Sequence, residues 1–191
     1  MHDVPGTAAT GRSVGGERGD AAVTCPAVPS DPAADLQIAS LTRDQPQTLA
    51  AWVTLFHLLG VVLDPYTLES GWIIPTAGRI FAHYREADIR TAFIVTADAE
   101  GARAFLGPYA QEWLVLLDPD RELVKGLGLQ RVPALVHIRQ DCSVAGVAEG
   151  WTPDAWSEVL GGVERVMAWR AQPVLPHPAD PGPFAGTPAL A

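Results

Sequence analysis

Three short apolar runs, Val61 to Asp64, Thr91 to Thr96 and Trp113 to Leu117, recur along this chain with a helix-forming stretch between each and the next. Short apolar runs bounded by turn residues are the kind that a sheet buries on both faces. Gly71 to Tyr84, between the first two, places Trp72, Ile73, Ala77, Ile80, Phe81 and Tyr84 at helical spacing, with Pro75 kinking the helix or sitting in its first turn. Ala99 to Tyr109 is helical in character and breaks near Gly107-Pro108. This alternation excludes all-helical and all-strand folds.

The flanking segments complete the pattern. Leu36 to Leu41 reads as a strand, and Pro46 to Phe56 as a helix with Leu49, Trp52, Val53 and Phe56 on one face. A short helix is expected from about Arg121 to Leu127. Ala134 to Arg139 and Val144 to Ala148 alternate as a hairpin around Gln140-Asp141-Cys142-Ser143. Thr152-Pro153-Asp154 supplies a hydroxyl cap, a first-turn proline and an acid beside the positive end of the helix dipole. The last helix should therefore run to about Trp169 and bury Trp156, Leu160, Val163 and Met167. The reading is an α/β sandwich with a central mixed sheet over residues 36–170.

Both ends differ in composition. Residues 1–35 are rich in Gly, Pro, Ala and small polar residues without an apolar period, and read as a disordered arm. Residues 171–191 carry Pro173, Pro176, Pro178, Pro181, Pro183 and Pro188, which forbids helix. This tail either lies along the domain through Val174, Leu175, Phe184 and Leu190 or is solvated, and solvation is the reading preferred.

The net charge of -9 argues against nucleic acid and anionic membrane as partners, since phosphate binding needs clustered Lys and Arg. The two cysteines, Cys25 and Cys142, are too sparse for a disulfide scaffold or a zinc site, so no metal or cofactor is expected. A reducing cytoplasm is the default location. The first residues show no signal peptide, and Leu49 to Leu63 falls short of the roughly 20 apolar residues that span a bilayer.

Three motifs carry a family likeness: Val61-Val62-Leu63-Asp64, Leu116-Leu117-Asp118-Pro119-Asp120, and the run from Gly126 through Val132-Pro133 to Val136. Together with the element order they resemble the thioredoxin-like superfamily, in its peroxiredoxin and TlpA-type thiol-disulfide reductase branch. The resemblance implies a three-layer sandwich with a cis-proline loop at Val132-Pro133, where Val132 offers backbone groups to an extended substrate. It places the redox site at Pro65-Tyr66-Thr67-Leu68-Glu69-Ser70. In one register Thr67 and Ser70 stand at the two cysteines of Cys-x-x-Cys. In the other, Ser70 stands at a peroxidatic cysteine and Thr67 at the threonine before it. Either way oxygen replaces sulfur, and a hydroxyl forms neither the thiolate nor the disulfide that such chemistry needs.

What remains is a set of candidates with two readings each. Asp64 resembles the acid that assists proton transfer in thioredoxins, or bonds backbone in its own turn. Thr67 and Ser70 either hold a ligand at an exposed helix N-terminus or cap the helix, with Glu69 as its first-turn acid. Ser70 as a hydrolase nucleophile would need a base, and His57, His83 and His137 are scattered. Cys142 reads as an exposed turn cysteine. Tyr66 is the aromatic expected at the surface, Trp72 and Trp156 are expected in the core, and Trp151 is open.

The function expected is a redox-inactive, bacterial and cytoplasmic thioredoxin-fold module that holds a protein or extended peptide at Tyr66 to Ser70 and Val132-Pro133. The alternative is a thiol-disulfide oxidoreductase or peroxidase acting through Cys142, or through intermolecular pairing of Cys25. A homodimer is compatible with the apolar composition.

Overall fold

The computed structural model describes residues 1–2, 29–168 and 172–190. Cys25 and most of the arm expected to be disordered lie outside the described residues. Residues 29–35 lie against the domain, where Ser30 donates to the Gly126 carbonyl and Asp31 accepts from the Val144 N–H.

The chain opens with β1 (Gln37–Ser40), β2 (Arg43–Thr48) and α1 (Leu49–Val53), followed by β3 (His57–Leu63), α2 (Leu68–His83) and β4 (Ile89–Val95). Next come α3 (Ala99–Leu106), α4 (Tyr109–Glu112), β5 (Leu114–Leu117) and α5 (Glu122–Gly126). The order closes with β6 (Arg131–Val132), β7 (Ala134–Ile138), β8 (Val144–Glu149), α6 (Pro153–Met167) and β9 (Thr187–Pro188). Seven strands form one mixed sheet in the order β2-β1-β5-β4-β3-β7-β8, while β6 and β9 pair separately. The central strands β3, β4 and β5 run parallel, and β7 and β1 flank them antiparallel.

Because side chains alternate along a strand, each face of the sheet acquires its own core. Leu59, Val61 and Leu63 of β3 pack with Phe93, Val95, Ile73, Phe81 and Trp156 beneath α2, α3 and α6. Leu58 and Val62 face the opposite way and join Trp52, Leu123, Leu127 and Val136 beneath α1 and α5. The result is the three-layer sandwich expected, with the C-terminal ends of β3, β4 and β5 opening toward the heads of α2, α3 and α5.

Several elements depart from expectation. Pro46 to Phe56 is no single helix, because residues 43–48 pair with β1 as an edge strand, which tolerates proline's missing donor. Thr48 then starts α1 by accepting the Ala51 N–H at 3.1 Å. Helix α2 begins three residues before Gly71 and carries Pro75 within it on an exposed position. The largest departure is the tail. Residues 172–190 are applied along the domain: Leu175 and Ala189 are buried, and β9 adds to β6.

Candidate functional site

Strand β3 delivers Asp64 to the head of α2, where a closed set of bonds builds the turn. The Asp64 N–H donates to Ser70 Oγ at 3.0 Å, and the Tyr66 N–H donates to Asp64 Oδ1 at 3.0 Å. Thr67 Oγ1 lies 3.0 Å from the Asp64 carbonyl and 2.9 Å from Ser70 Oγ, so its one proton serves both acceptors. Ser70 has no exposed surface. Thr67 occupies the N-cap position, yet its side chain accepts no helix N–H. The capping expected of these hydroxyls is thus replaced by a tie back to the strand end, with Glu69 as the first-turn acid.

Asp64 has a second partner. Its Oδ2 accepts from Arg121 at 2.9 Å in an ion pair whose side chains are 5% and 17% exposed. Arg121 sits in the left-handed region at φ 57° just before α5, a conformation that L side chains seldom adopt. Its other nitrogen donates to the Ala189 carbonyl at 2.7 Å. One guanidinium therefore joins the turn before α2 to the C-terminal tail.

The Val132–Pro133 peptide bond is cis. Val132 and Pro133 are both buried, so the surface where backbone groups were expected to stand open is covered. The cover is the chain's own tail. Thr187 pairs with Val132 and Pro188 with Arg131 in an antiparallel ladder, and the Ala189 N–H donates to the Gln130 carbonyl at 2.8 Å. Thr187 Oγ1 donates to the Val132 carbonyl at 3.3 Å, and Arg131 donates to the Gly186 carbonyl at 3.0 Å. Upstream, Trp151 and Phe184 exchange both backbone bonds, and Trp151 Nε1 donates to the Pro181 carbonyl. The tail is further fixed to α2 through Asp180, which accepts from Thr76 Oγ1 at 2.9 Å and pairs with Arg79.

Two glycines permit the close approach. A Cβ on Gly186, at φ 76°, would lie 2.6 Å from the Val132 carbonyl oxygen, and one on Gly150, at φ 67°, would lie 2.7 Å from that of Ala185. No L side chain fits either place without backbone movement.

Large apolar side chains stand exposed at the head of α2, next to the covered groove through Trp72. Tyr66, Leu68 and Trp72 are 81%, 76% and 52% exposed, and Trp72 meets Phe184 edge-on with ring centroids 5.7 Å apart. Trp72 is thereby corrected from core to surface, while Trp151 and Trp156 are fully buried.

Neither a family model nor a curated protein sequence matches this chain. Solved structures do. A secreted Mycobacterium tuberculosis disulfide oxidoreductase homologous to E. coli DsbE superposes with a TM-score of 0.53 at 18% identity, covering 69% of this chain and 96% of that one. The chain has the thioredoxin-like fold. A putative thiol:disulfide interchange protein DsbE from Chlorobium tepidum is similar at a TM-score of 0.59 and 16% identity over 74% of this chain and 99% of that one. The Xanthomonas campestris bacterioferritin comigratory protein, a protein with alkyl peroxide reduction activity, gives 0.54 at 11% identity over 72% and 92%.

Within this thioredoxin-like fold the remaining candidates lie far from the head of α2. Cys142 belongs to the β7–β8 turn at φ 66° and packs beneath α1 and α5, only 4% exposed, against the expectation of an exposed thiol. Burial, and then the Asp141 charge, push its pKa above the ordinary thiol value. His57 and His137 meet at the other end of β3, with Nδ1 of one 2.9 Å from Nε2 of the other. His137 pairs across from Leu59, toward the opposite end of β3 from Ser70, so the His57–His137 pair supplies the serine with no base. Among the described residues no cluster of three or more His, Cys, Asp or Glu could hold a metal ion. Asp180 reaches the site only through the folded tail, and Arg121 through the left-handed turn before α5 that sets its guanidinium beside Asp64; neither carries a local sequence signal for that role. Leu175 and Phe184 were the available signal, as apolar residues in a stretch whose prolines pointed to solvent.

Proposed function

We propose that this thioredoxin-like domain is a binding module for a protein or extended peptide and performs no thiol catalysis. The observation that carries the reading is the head of α2, where Thr67 and Ser70 spend their hydroxyls on Asp64 and each other. Catalysis by a thiolate needs an accessible sulfur of depressed pKa, and the described thiol is buried with its pKa raised. Beside this sulfur-free turn stand Tyr66, Leu68 and Trp72, large exposed side chains of the type that anchors a partner by leaving water. They supply the recognition face, and the covered cis-proline groove borders it through Phe184.

Insulin reduction and peroxide consumption by the purified chain test the first half of this reading. Wild type and Cys142→Ser should both run at the blank rate; a rate that the variant loses would make Cys142 a nucleophile and overturn the proposal. For the second half, a partner cross-linked to wild type should be lost with a Tyr66→Ser/Leu68→Ser/Trp72→Ser variant whose circular dichroism is unchanged.

A further inference from the structure

We infer that the groove beside Pro133 is an exchangeable strand-binding site, that residues 184–190 are its resident ligand, and that it accepts in trans an extended segment of the same chemistry. That chemistry is legible position by position. The aromatic at 184 lies against Trp72. Position 186 admits glycine alone, since its backbone passes against the Val132 carbonyl and the Gly150 Cα. Position 187 presents a hydroxyl to the Val132 carbonyl, and position 189 is a fully buried small residue whose carbonyl meets Arg121. The ligand class is therefore an extended peptide reading aromatic-x-Gly-Thr-Pro-small, bound by strand addition with side-chain pockets setting the choice.

The seat is built to be left as well as filled. The tail holds through a two-residue ladder and a handful of polar bonds, and from 181 to 190 only Ala189 is buried while Pro183, Pro188 and Leu190 stay exposed. Segments with few buried apolar contacts open at a free energy well below that of global unfolding. While seated, the tail pairs with Arg131 and Val132 and takes the Gln130 carbonyl, the backbone that a second strand would use. A tethered ligand acts at a millimolar effective concentration, so a free peptide competes poorly until the tail is displaced. The inference rests on the binding-module reading and names the partner class of its groove.

The test uses the full chain. Gly186→Val with Ala189→Asp removes the fit of the tail while leaving residues 36–168 intact. A capped synthetic peptide of residues 178–190 should bind this variant at least tenfold tighter than wild type, and the same peptide carrying Gly186→Val should not bind. Equal binding to variant and wild type, or none to a folded variant, overturns the inference. Should the variant fail to fold, amide hydrogen exchange on wild type decides. The Phe184 and Ala189 amides should exchange at least a hundredfold faster than those of Val62 and Ile94; exchange at the core rate would make the tail a permanent strand and overturn the proposal. A thiol activity in the insulin or peroxide assays would instead remove the binding-module reading, whatever the peptide does.

Discussion

Thr67 and Ser70 hold their oxygens 2.9 Å apart at the mouth of a helix, a separation that brings sulfur atoms in the same places within bonding reach after small rotations. A Thr67→Cys/Ser70→Cys double variant is expected to form an intramolecular disulfide in air, read as the loss of two titratable thiols that returns on reduction. Cys142 should behave in the opposite way: unreactive toward a thiol reagent at pH 8 in the native chain and fully reactive in denaturant. His137 makes the chain acid-sensitive. Desolvation first, then the His57 and Arg139 charges, lower its pKa to about 4 from 6.5, so the unfolded chain takes up a proton that the folded one refuses. The stability this confers is complete above pH 6.5 and is lost as the pH falls toward 4, a change of up to about 3 kcal/mol. His137→Gln should flatten the urea-unfolding free energy across that window. Tyr66 was legible as a surface aromatic because it follows a proline outside any periodic run. Cys142 was misread, since a turn residue is exposed by default and only the packing of α1 and α5 shows otherwise.

The elements whose partners are near in sequence were read most accurately. Thr152 caps α6 by accepting the Ala155 N–H at 3.3 Å, with Pro153 and Asp154 in the first turn. The β7–β8 hairpin likewise closes over the five residues 139–143. What escaped were β2, β6 and β9, short strands whose existence depends on pairing, β2 with β1 and β6 with β9, rather than on their own propensity. The short α5 shows how a local device compensates: Asp118 accepts the Leu123 and Val124 N–H groups at 3.1 and 3.0 Å, satisfying the start of a helix too short to be stable alone. Asp118→Ala should cost about 1–2 kcal/mol in a denaturant titration, in line with loss of a helix cap.

Two cores on opposite faces of one sheet make the molecule legible as a whole, since the strand–helix alternation that opens the sequence leaves few other ways to bury both sides of β3, β4 and β5. The tail is the exception, because proline content predicts its lack of helix but not where its extended backbone will lie. Arg121 gives that placement a thermodynamic meaning. Its guanidinium is shared between the Asp64 carboxylate and the Ala189 carbonyl, so the turn before α2 and the last described residues draw on a single donor group. Asp64→Asn should therefore speed hydrogen exchange at Ala189, 125 residues away along the chain yet one side chain away in space. Such linkage is reciprocal. Whatever engages the turn at Asp64 must change the free energy of seating the tail, and departure of the tail must change the affinity of that turn by the same factor, so that two neighbouring surfaces report on each other through one arginine.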